Sequence, residues 1–278
     1  MRKVFQRLLV FFIGLPIVIG LVFFDQFHHL ALHILILGVT FLASGELFNL
    51  LSKKFALQKK SLVLSMSCIP PVIGTFCAIF NLHTTFIDYG FLAAVMICMG
   101  IEALTIKIFT DSVSRLLTSS FIILYTGFFI TFVSRMTLLQ YSQVYISLFL
   151  LMVFMCDSLA WLFGNLFGKN NKGFIKSSPN KSIAGFIGGF FGSILCGIIN
   201  YYLFRDIFTG SITKVVFLGF LIALFAIIGD LVESVIKRSV DIKDSGSIIP
   251  GRGGLLDSID SIVFAAPVFY FGINILYI

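Results

Sequence analysis

Residues 229–261 read GDLVESVIKRSVDIKDSGSIIPGRGGLLDSIDS, and they hold most of the polar chemistry of this chain. An apolar run that begins at Val215 leads into this stretch, and a second apolar run begins at Ile262, just after it. Both runs have the composition of membrane helices. The sequence therefore predicts a polar site held between two helices, with the rest of the chain as its scaffold.

The acidic and basic residues of this stretch have spacings that bring them together. Four polar residues at i, i+3, i+4 and i+7 share one face of a helix: Asp230, Glu233, Ser234 and Lys237. A second acidic pair, Asp257 and Asp260, follows a glycine-rich turn at residues 250–254. Carboxylate oxygens bind hard divalent cations, and nearby cationic side chains neutralise phosphoryl oxygens. The pattern favours metal-assisted phosphate chemistry.

The composition is that of a polytopic membrane protein. Of 278 residues 58% are hydrophobic and 12% are charged, whereas soluble globular chains average about 25% charged residues. The net charge of +7 does not indicate nucleic-acid binding, because the basic residues lie in short loops between apolar runs, as membrane topology predicts. The five cysteines lie singly in apolar runs without CxxC spacing, so neither a disulfide framework nor a zinc site is predicted.

The hydropathy pattern predicts an all-α membrane helix bundle with about nine transmembrane helices. The first apolar run follows three basic residues but lacks a small-residue cleavage site after it, so we interpret it as an uncleaved span. Pro70 and Pro71 are expected to kink or interrupt the third span. The predicted spans are Leu8–Phe24, Leu30–Leu51, Leu62–Phe80, Phe91–Phe109, Leu117–Val133, Val144–Phe167, Ile183–Phe204, Val215–Ile236 and Ile262–Ile278.

The distribution of basic residues predicts the orientation of these spans. With the N-terminus in the cytoplasm, every Lys and Arg lies on the cytoplasmic side except Arg135, Arg205 and Lys214. This asymmetry predicts a C-terminus outside. It also places both polar segments on the cytoplasmic face, where nucleotides are available.

The polar residues are distributed unevenly along the chain. Residues 1–143 are predicted to form an N-terminal scaffold, and residues 144–278 a C-terminal catalytic region that contains the 229–261 stretch. The charges inside the apolar runs of the first part are mainly Glu46 and Glu102. We interpret both as hydrogen-bonding groups between packed helices, outside the site.

A second polar segment lies upstream of the first. Asp157 falls within an apolar span, where a carboxylate is costly unless it faces a partner, a cavity or an ion. That favours a functional role, while a salt bridge that only packs helices is the alternative. The loop at residues 177–182 offers hydroxyl groups, backbone N–H groups and Lys181 before a new helix. Such a helix start can bind phosphate, although Ser/Pro/Asn loops are also ordinary helix starts.

These motifs resemble the signature of the phosphatidate cytidylyltransferase family, the CDP-diacylglycerol synthases. The family pattern S-x-x-K-R-x4-K-D-x-G, then P-G-H-G-G, then D-R and a final D, corresponds to residues 234–246, 250–254, 257–258 and 260. The elements D-x-x-A-[YW]-x-x-G and S-P-x-K-[ST] match residues 157–164 and 178–182. The motifs cover roughly the C-terminal half, and the N-terminal half matches only as a hydrophobic pattern.

Three positions depart from the family pattern. Arg252 replaces the His of P-G-H-G-G, Ser258 replaces the Arg after the first signature Asp, and Ala184 replaces the Glu that usually follows S-P-K-K-[ST]-x. We interpret Arg252 as the source of the positive charge that Ser258 no longer gives.

The resemblance implies transfer of CMP from CTP to the phosphate of phosphatidate, which gives CDP-diacylglycerol and pyrophosphate. It implies a multi-pass protein of the bacterial inner (plasma) membrane, with its active site facing the cytoplasm and phosphatidate arriving from the inner leaflet. A homodimer is compatible with this picture.

The resemblance also implies roles for individual residues. Asp230 and Asp257 would bind Mg²⁺, and a second, monovalent ion is allowed for. Catalytic roles are implied for Asp157, Lys237, Lys243, Asp244 and Asp260. Substrate binding is implied for Ser178, Lys181, Ser182, Ser234, Arg238, Arg252, Gly253 and Gly254.

Three other hypotheses use the same charges. A CTP-dependent polyprenol or lipid kinase would transfer the γ-phosphoryl group to an alcohol and release CDP. A transporter or lipid-binding scaffold would line a path with these charges and turn over no nucleotide. A degenerate family member would keep the fold for a non-catalytic role.

Overall fold

The computed structural model describes residues 13–246, 248–249 and 253–278. These residues form α-helices joined by short loops and contain no β-strand, only two isolated bridges, Lys172 with Ser182 and Ile249 with Gly253. The helices are α1 (Leu15–Phe23), α2 (Gln26–Leu51), α3 (Lys60–Phe80), α4 (Thr85–Thr105), α5 (Ser112–Ile122) continued by a π-helical turn (Ile123–Phe128), α6 (Thr131–Met136), α7 (Ser142–Phe167), α8 (Ile183–Leu203), α9 (Ile212–Ser239) and α10 (Leu256–Tyr277).

Within the described residues, eight helical segments are long and apolar enough to cross a membrane. Each predicted span from Leu30 onward coincides with one of them, and the segment Ser112–Met136 combines α5, the π-helical turn and α6. The all-α membrane fold class is therefore confirmed. The predicted first span, Leu8–Phe24, begins outside the described residues, so the total of nine stays a prediction.

The chain divides into two compact units. The first contains Met1–Leu139 and Ser239–Ile259, and the second contains Gln140–Arg238 and Asp260–Ile278. The 229–261 stretch thus contributes residues to both. The predicted division into scaffold and catalytic parts at residue 143 stays a prediction.

In the first unit, helix α4 begins six residues before the predicted start at Phe91, at Thr85. Asp88 lies in its first turn, and the Arg135 side chain donates two hydrogen bonds to the Asp88 carboxylate. This pairing compensates the charge of Asp88, so the helix extends through a residue that the hydropathy pattern places in a loop.

The two prolines of the third span do not interrupt it, so of the two expected effects only the kink stays a prediction. Helix α3 is continuous across Pro70 and Pro71. Because Pro71 has no N–H, it leaves the carbonyl of Ser67 without its helical donor. The π-helical turn packs tightly there, since a Cβ on Gly127 would lie 2.5 Å from the Ser67 oxygen. Neighbouring backbone thus covers the break in the hydrogen-bond ladder.

In the second unit, small residues allow α7 and α8 to pack backbone against backbone. A Cβ on Gly188 would lie 2.6 Å from the Leu159 oxygen, and a Cβ on Gly192 would lie 2.5 Å from the Met155 oxygen. Gly residues on one face are the usual means of such close approach between membrane helices. This packing fixes the position of α7, the helix that carries Asp157.

Candidate active site

The second unit contains a cavity of about 290 Å³ that both predicted polar segments line. This volume is near the lower end of the range for ligand pockets, about 300–1,000 Å³. Its polar lining includes Asp157 from α7, Lys181 and Ser182 from the loop before α8, and Asp230 from α9. Trp161 adds an aromatic wall. The structure therefore brings together the two motif regions of this unit that the sequence separates by about fifty residues.

An ion pair joins the two motifs inside this cavity. Lys181 Nζ lies 2.7 Å from Asp230 Oδ2, and both side chains are partly exposed. The ammonium group is thus held where a ligand entering the cavity can reach it. An anionic ligand such as a phosphate would compete with Asp230 for Lys181.

Ser182 has a structural role at the edge of the cavity. Its backbone is extended, and its Oγ accepts a hydrogen bond from the backbone N–H of Gly185 at 3.0 Å, which caps the N-terminus of α8. The same loop is tied to α9, because Arg238 Nε donates to the carbonyl oxygen of Ser177 at 3.3 Å. These contacts fix the loop that carries Lys181.

Two acidic residues of the second unit are deeply buried. Glu233 is 1% exposed and Asp260 is 6% exposed. Glu233 forms an ion pair with Lys237 one turn along α9, a contact that their i, i+4 spacing allows. Asp260 lies within electrostatic range of Asp157, Asp230 and Glu233. A buried carboxylate is costly unless a cation compensates it, and Lys237 and Lys181 supply that charge for Glu233 and Asp230.

In the first unit, Ile249 and Gly253 pair through their backbones. Ile249 N–H donates to the Gly253 oxygen at 2.8 Å, and Gly253 N–H donates to the Ile249 oxygen at 3.1 Å. Gly253 has a φ of +113°, a conformation that L side chains rarely adopt. Arg252 lies outside the described residues.

Asp257 holds the residues on either side of this turn. Its Oδ2 accepts hydrogen bonds from the backbone N–H of Gly254 at 2.7 Å and from the backbone N–H of Ser245 at 2.9 Å. The Ser245 hydroxyl donates to the same oxygen at 2.9 Å. The residue predicted to bind metal therefore also organises the loop in this structure.

Glu46, which was predicted to lie outside the site, contacts residues that follow the glycine-rich turn in the sequence. Its carboxylate accepts hydrogen bonds from the backbone N–H groups of Leu255 and Leu256, at 3.0 and 2.8 Å. The available signal was a carboxylate in an apolar run, which is a functional candidate by default. Glu102, the other such residue, pairs with Arg115 and accepts from Gln58 between helices, as predicted.

The remaining predicted residues occupy varied positions. Lys243 and Asp244 are exposed in the first unit, and Ser234 is buried on α9 in the second. Ser178 is partly buried, and its carbonyl oxygen accepts from the Lys181 N–H in the loop before α8. The roles of these residues stay predictions.

The donor set available for a metal consists of carboxylate oxygens, which suit a hard divalent cation such as Mg²⁺. Across residues 13–246, 248–249 and 253–278, no three His, Cys, Asp or Glu side chains form a group that could hold a metal ion. The chemistry of the residues fits the predicted metal, and the ligand set stays a prediction.

Comparison with known proteins identifies the family. A model of the cytidylyltransferase family matches residues 5–276. The chain is 43% identical over 124 residues to the phosphatidate cytidylyltransferase of Staphylococcus aureus (strain COL), which covers 45% of this chain and 46% of the relative. It is 39% identical over 127 residues to the phosphatidate cytidylyltransferase of Helicobacter pylori (strain ATCC 700392 / 26695), with 46% of each chain covered. The chain thus spans about half the length of the curated relatives it matches. Since the family model covers nearly the whole sequence, the chain belongs to the cytidylyltransferase family.

Proposed function

We propose that this protein transfers CMP from CTP to phosphatidate and releases pyrophosphate and CDP-diacylglycerol. The observation that carries the proposal is the ion pair of Lys181 with Asp230 in a cavity that Asp157 also lines. The pair places a cation that can bind a phosphate next to carboxylates that can bind a metal ion, and a nucleotide triphosphate needs both. Family membership and the names of the relatives support the same reaction.

The reaction needs little acid–base chemistry from the protein. The phosphate of phosphatidate is a monoester with a second pKa of about 6, so it is largely dianionic at neutral pH and is itself the nucleophile. One of its oxygens attacks the α-phosphorus of CTP, a new P–O bond forms, and the bond to the bridging oxygen of the β-phosphate breaks. Pyrophosphate leaves with that electron pair. The protein's task is to position the two phosphates and neutralise their charge.

We propose that the cationic residues position the phosphates and neutralise their charge. Lys181 exchanges its partner, from Asp230 to a phosphate of the incoming nucleotide. The other proposed phosphate contacts are Lys237, Arg238, Lys243 and Arg252. Ser178, Ser234, Gly253 and Gly254 are proposed to contact substrate through hydroxyl or backbone groups, and Ser182 to hold Lys181 in place by capping α8.

Mg²⁺ is the proposed metal, with Asp230 and Asp257 as its ligands. When bound, it would neutralise phosphoryl oxygens during the displacement. Asp157, Asp244 and Asp260 are proposed to support this acidic region. A second, monovalent ion is compatible with so many carboxylates.

The membrane supplies the second substrate. We propose that the protein lies in the bacterial inner membrane with its N-terminus and site on the cytoplasmic side, following the distribution of basic residues. Phosphatidate would then reach the site from the inner leaflet while its acyl chains stay in lipid. A homodimer is compatible with this arrangement.

The proposal is tested by incubating the purified full chain with CTP, Mg²⁺ and phosphatidate and analysing lipid and nucleotide products. Formation of CDP-diacylglycerol with an equal amount of pyrophosphate is the expected result. Release of CDP with a phosphorylated polyprenol or lipid alcohol would show a kinase instead. Absence of any CTP turnover, in protein shown to be folded, would favour a transporter, a scaffold or a non-catalytic family member.

A further inference from the structure

We propose that Glu46 is a positioning residue for the proposed reaction. It acts on the two segments beside the glycine-rich turn, residues 244–246 and 253–255, which we call the loop flanks. The carboxylate reaches them from α2, far away in sequence. This inference rests on the proposed function, but the geometry behind it does not.

The carboxylate of Glu46 caps the start of α10. Glu46 Oε1 accepts from the backbone N–H of Leu255 at 3.0 Å, and Oε2 accepts from the backbone N–H of Leu256 at 2.8 Å. These are N–H groups at a helix N-terminus, which have no partner within the helix and attract negative charge. Glu46 is 7% exposed, so the bonds form away from bulk water, where charge-assisted hydrogen bonds are strong.

The same carboxylate also contacts the other loop flank. The Ser245 hydroxyl lies 3.3 Å from Glu46 Oε2 and 2.9 Å from Asp257 Oδ2. One hydroxyl proton is therefore shared between the two acidic residues. The packing leaves no spare room, since a Cβ on Gly246 would lie 2.5 Å from Glu46 Oε1.

The position of Asp257 depends on these contacts. Leu255 and Leu256 immediately precede Asp257, so the Glu46 hydrogen bonds fix the backbone that carries the proposed metal ligand. The Asp257 carboxylate in turn accepts from Ser245 and Gly254 in the loop flanks. A displacement of one ångström at such a residue is enough to slow a reaction greatly.

The test compares Glu46→Gln with Glu102→Gln in the full chain. Gln at position 46 keeps the length of the side chain, but its amide NH₂ replaces one acceptor oxygen and faces a backbone donor. Glu102 is a matched control, because it is a 5% exposed carboxylate in an apolar helix of the same unit and contacts Arg115 and Gln58 instead of the loop flanks. Three quantities are measured: kcat and KM for CTP per folded molecule, thermal stability, and amide hydrogen exchange in peptides covering residues 253–260.

For Glu46→Gln we expect kcat to fall about 100-fold with KM for CTP changed less than about threefold, because the loss concerns the transition state. Amide exchange at Leu255 and Leu256 should become faster. Glu102→Gln should lower thermal stability while kcat and the exchange of these amides stay as in the parent protein.

Two results would overturn the inference. Faster amide exchange with unchanged kcat would make Glu46 a structural cap only, and unchanged exchange would show that it does not hold these amides. The exchange measurement needs no substrate. If the parent protein makes no CDP-diacylglycerol, the proposed function fails, and with it the kinetic role of Glu46, whereas the amide exchange still reports on the contact.

Discussion

Lys181 Nζ and Asp230 Oδ2 are 2.7 Å apart, so the cation of the S-P-x-K-S element is paired with the first acidic residue of the 229–261 stretch. The pair lies in a cavity and is partly exposed. A partly exposed ion pair contributes little to folding stability. Its removal should therefore affect ligand handling more than folding.

Replacing Lys181 with Met should lower kcat/KM for CTP by about 100-fold or more, because the cation proposed to contact a phosphate is lost from a partly enclosed site. The matched control is Lys176→Met, since Lys176 is an exposed lysine of the same loop that does not line the cavity. Steady-state kinetics on both variants check this. Equal effects of the two substitutions would show that only the overall charge of the loop matters.

Asp230→Asn and Asp257→Asn should each lower turnover by several orders of magnitude with little change in folding. Asn keeps an oxygen that can accept from the N–H groups of Gly254 and Ser245, so the second substitution removes the charge while it preserves the loop. The measurement is CDP-diacylglycerol formation across a Mg²⁺ titration. Near-normal Mg²⁺-dependent activity in either variant would refute its assignment as a metal ligand.

Gly254→Ala should abolish most activity, because the new Cβ would overlap the Ser245 hydroxyl and lie 2.6 Å from Glu46 Oε2. The carboxylate that fixes the loop would have to move. Gly38→Ala is the control, since nothing lies within 4 Å of a Cβ there. In a helix, Ala at position 38 is expected to stabilise by about 1 kcal/mol. Comparable kinetics for the two variants would contradict the crowding around Gly254.

The double substitution Arg252→His with Ser258→Arg should retain activity, because it restores the family pattern at both positions. Within the described part of the chain the Ser258 hydroxyl is buried and has no hydrogen-bond partner, so its loss breaks no such contact. Product formation by the double variant is compared with that of each single variant. An inactive double variant would show that the site is built differently from the family pattern.

The structural features that depend on local composition could be predicted from the sequence. The length of an apolar run fixed helices such as α8, whose observed range Ile183–Leu203 is within one residue of the prediction. The placement of Glu233 and Lys237 on one face of a helix followed from their i, i+4 spacing, and the two side chains form an ion pair there. Both features depend on residues that are close in sequence, so the local sequence pattern is enough to predict them.

The sequence did not reveal features that depend on distant partners. Asp88 looked like a loop residue because Arg135, which neutralises it, lies on another helix. Glu46 looked like a packing residue because its donors, Leu255 and Leu256, lie two hundred residues further along. Every residue except proline has a backbone N–H group. No side-chain pattern therefore marks these two residues as the partners of Glu46.

The contacts of Glu46 have a consequence for experiments on truncated forms of this protein. A truncated polypeptide starting at residue 144 would retain every family motif but lose the acceptor for Leu255 and Leu256. The motif-bearing half is therefore not an autonomous module, and its inactivity in isolation would say nothing against the chemistry of its own side chains.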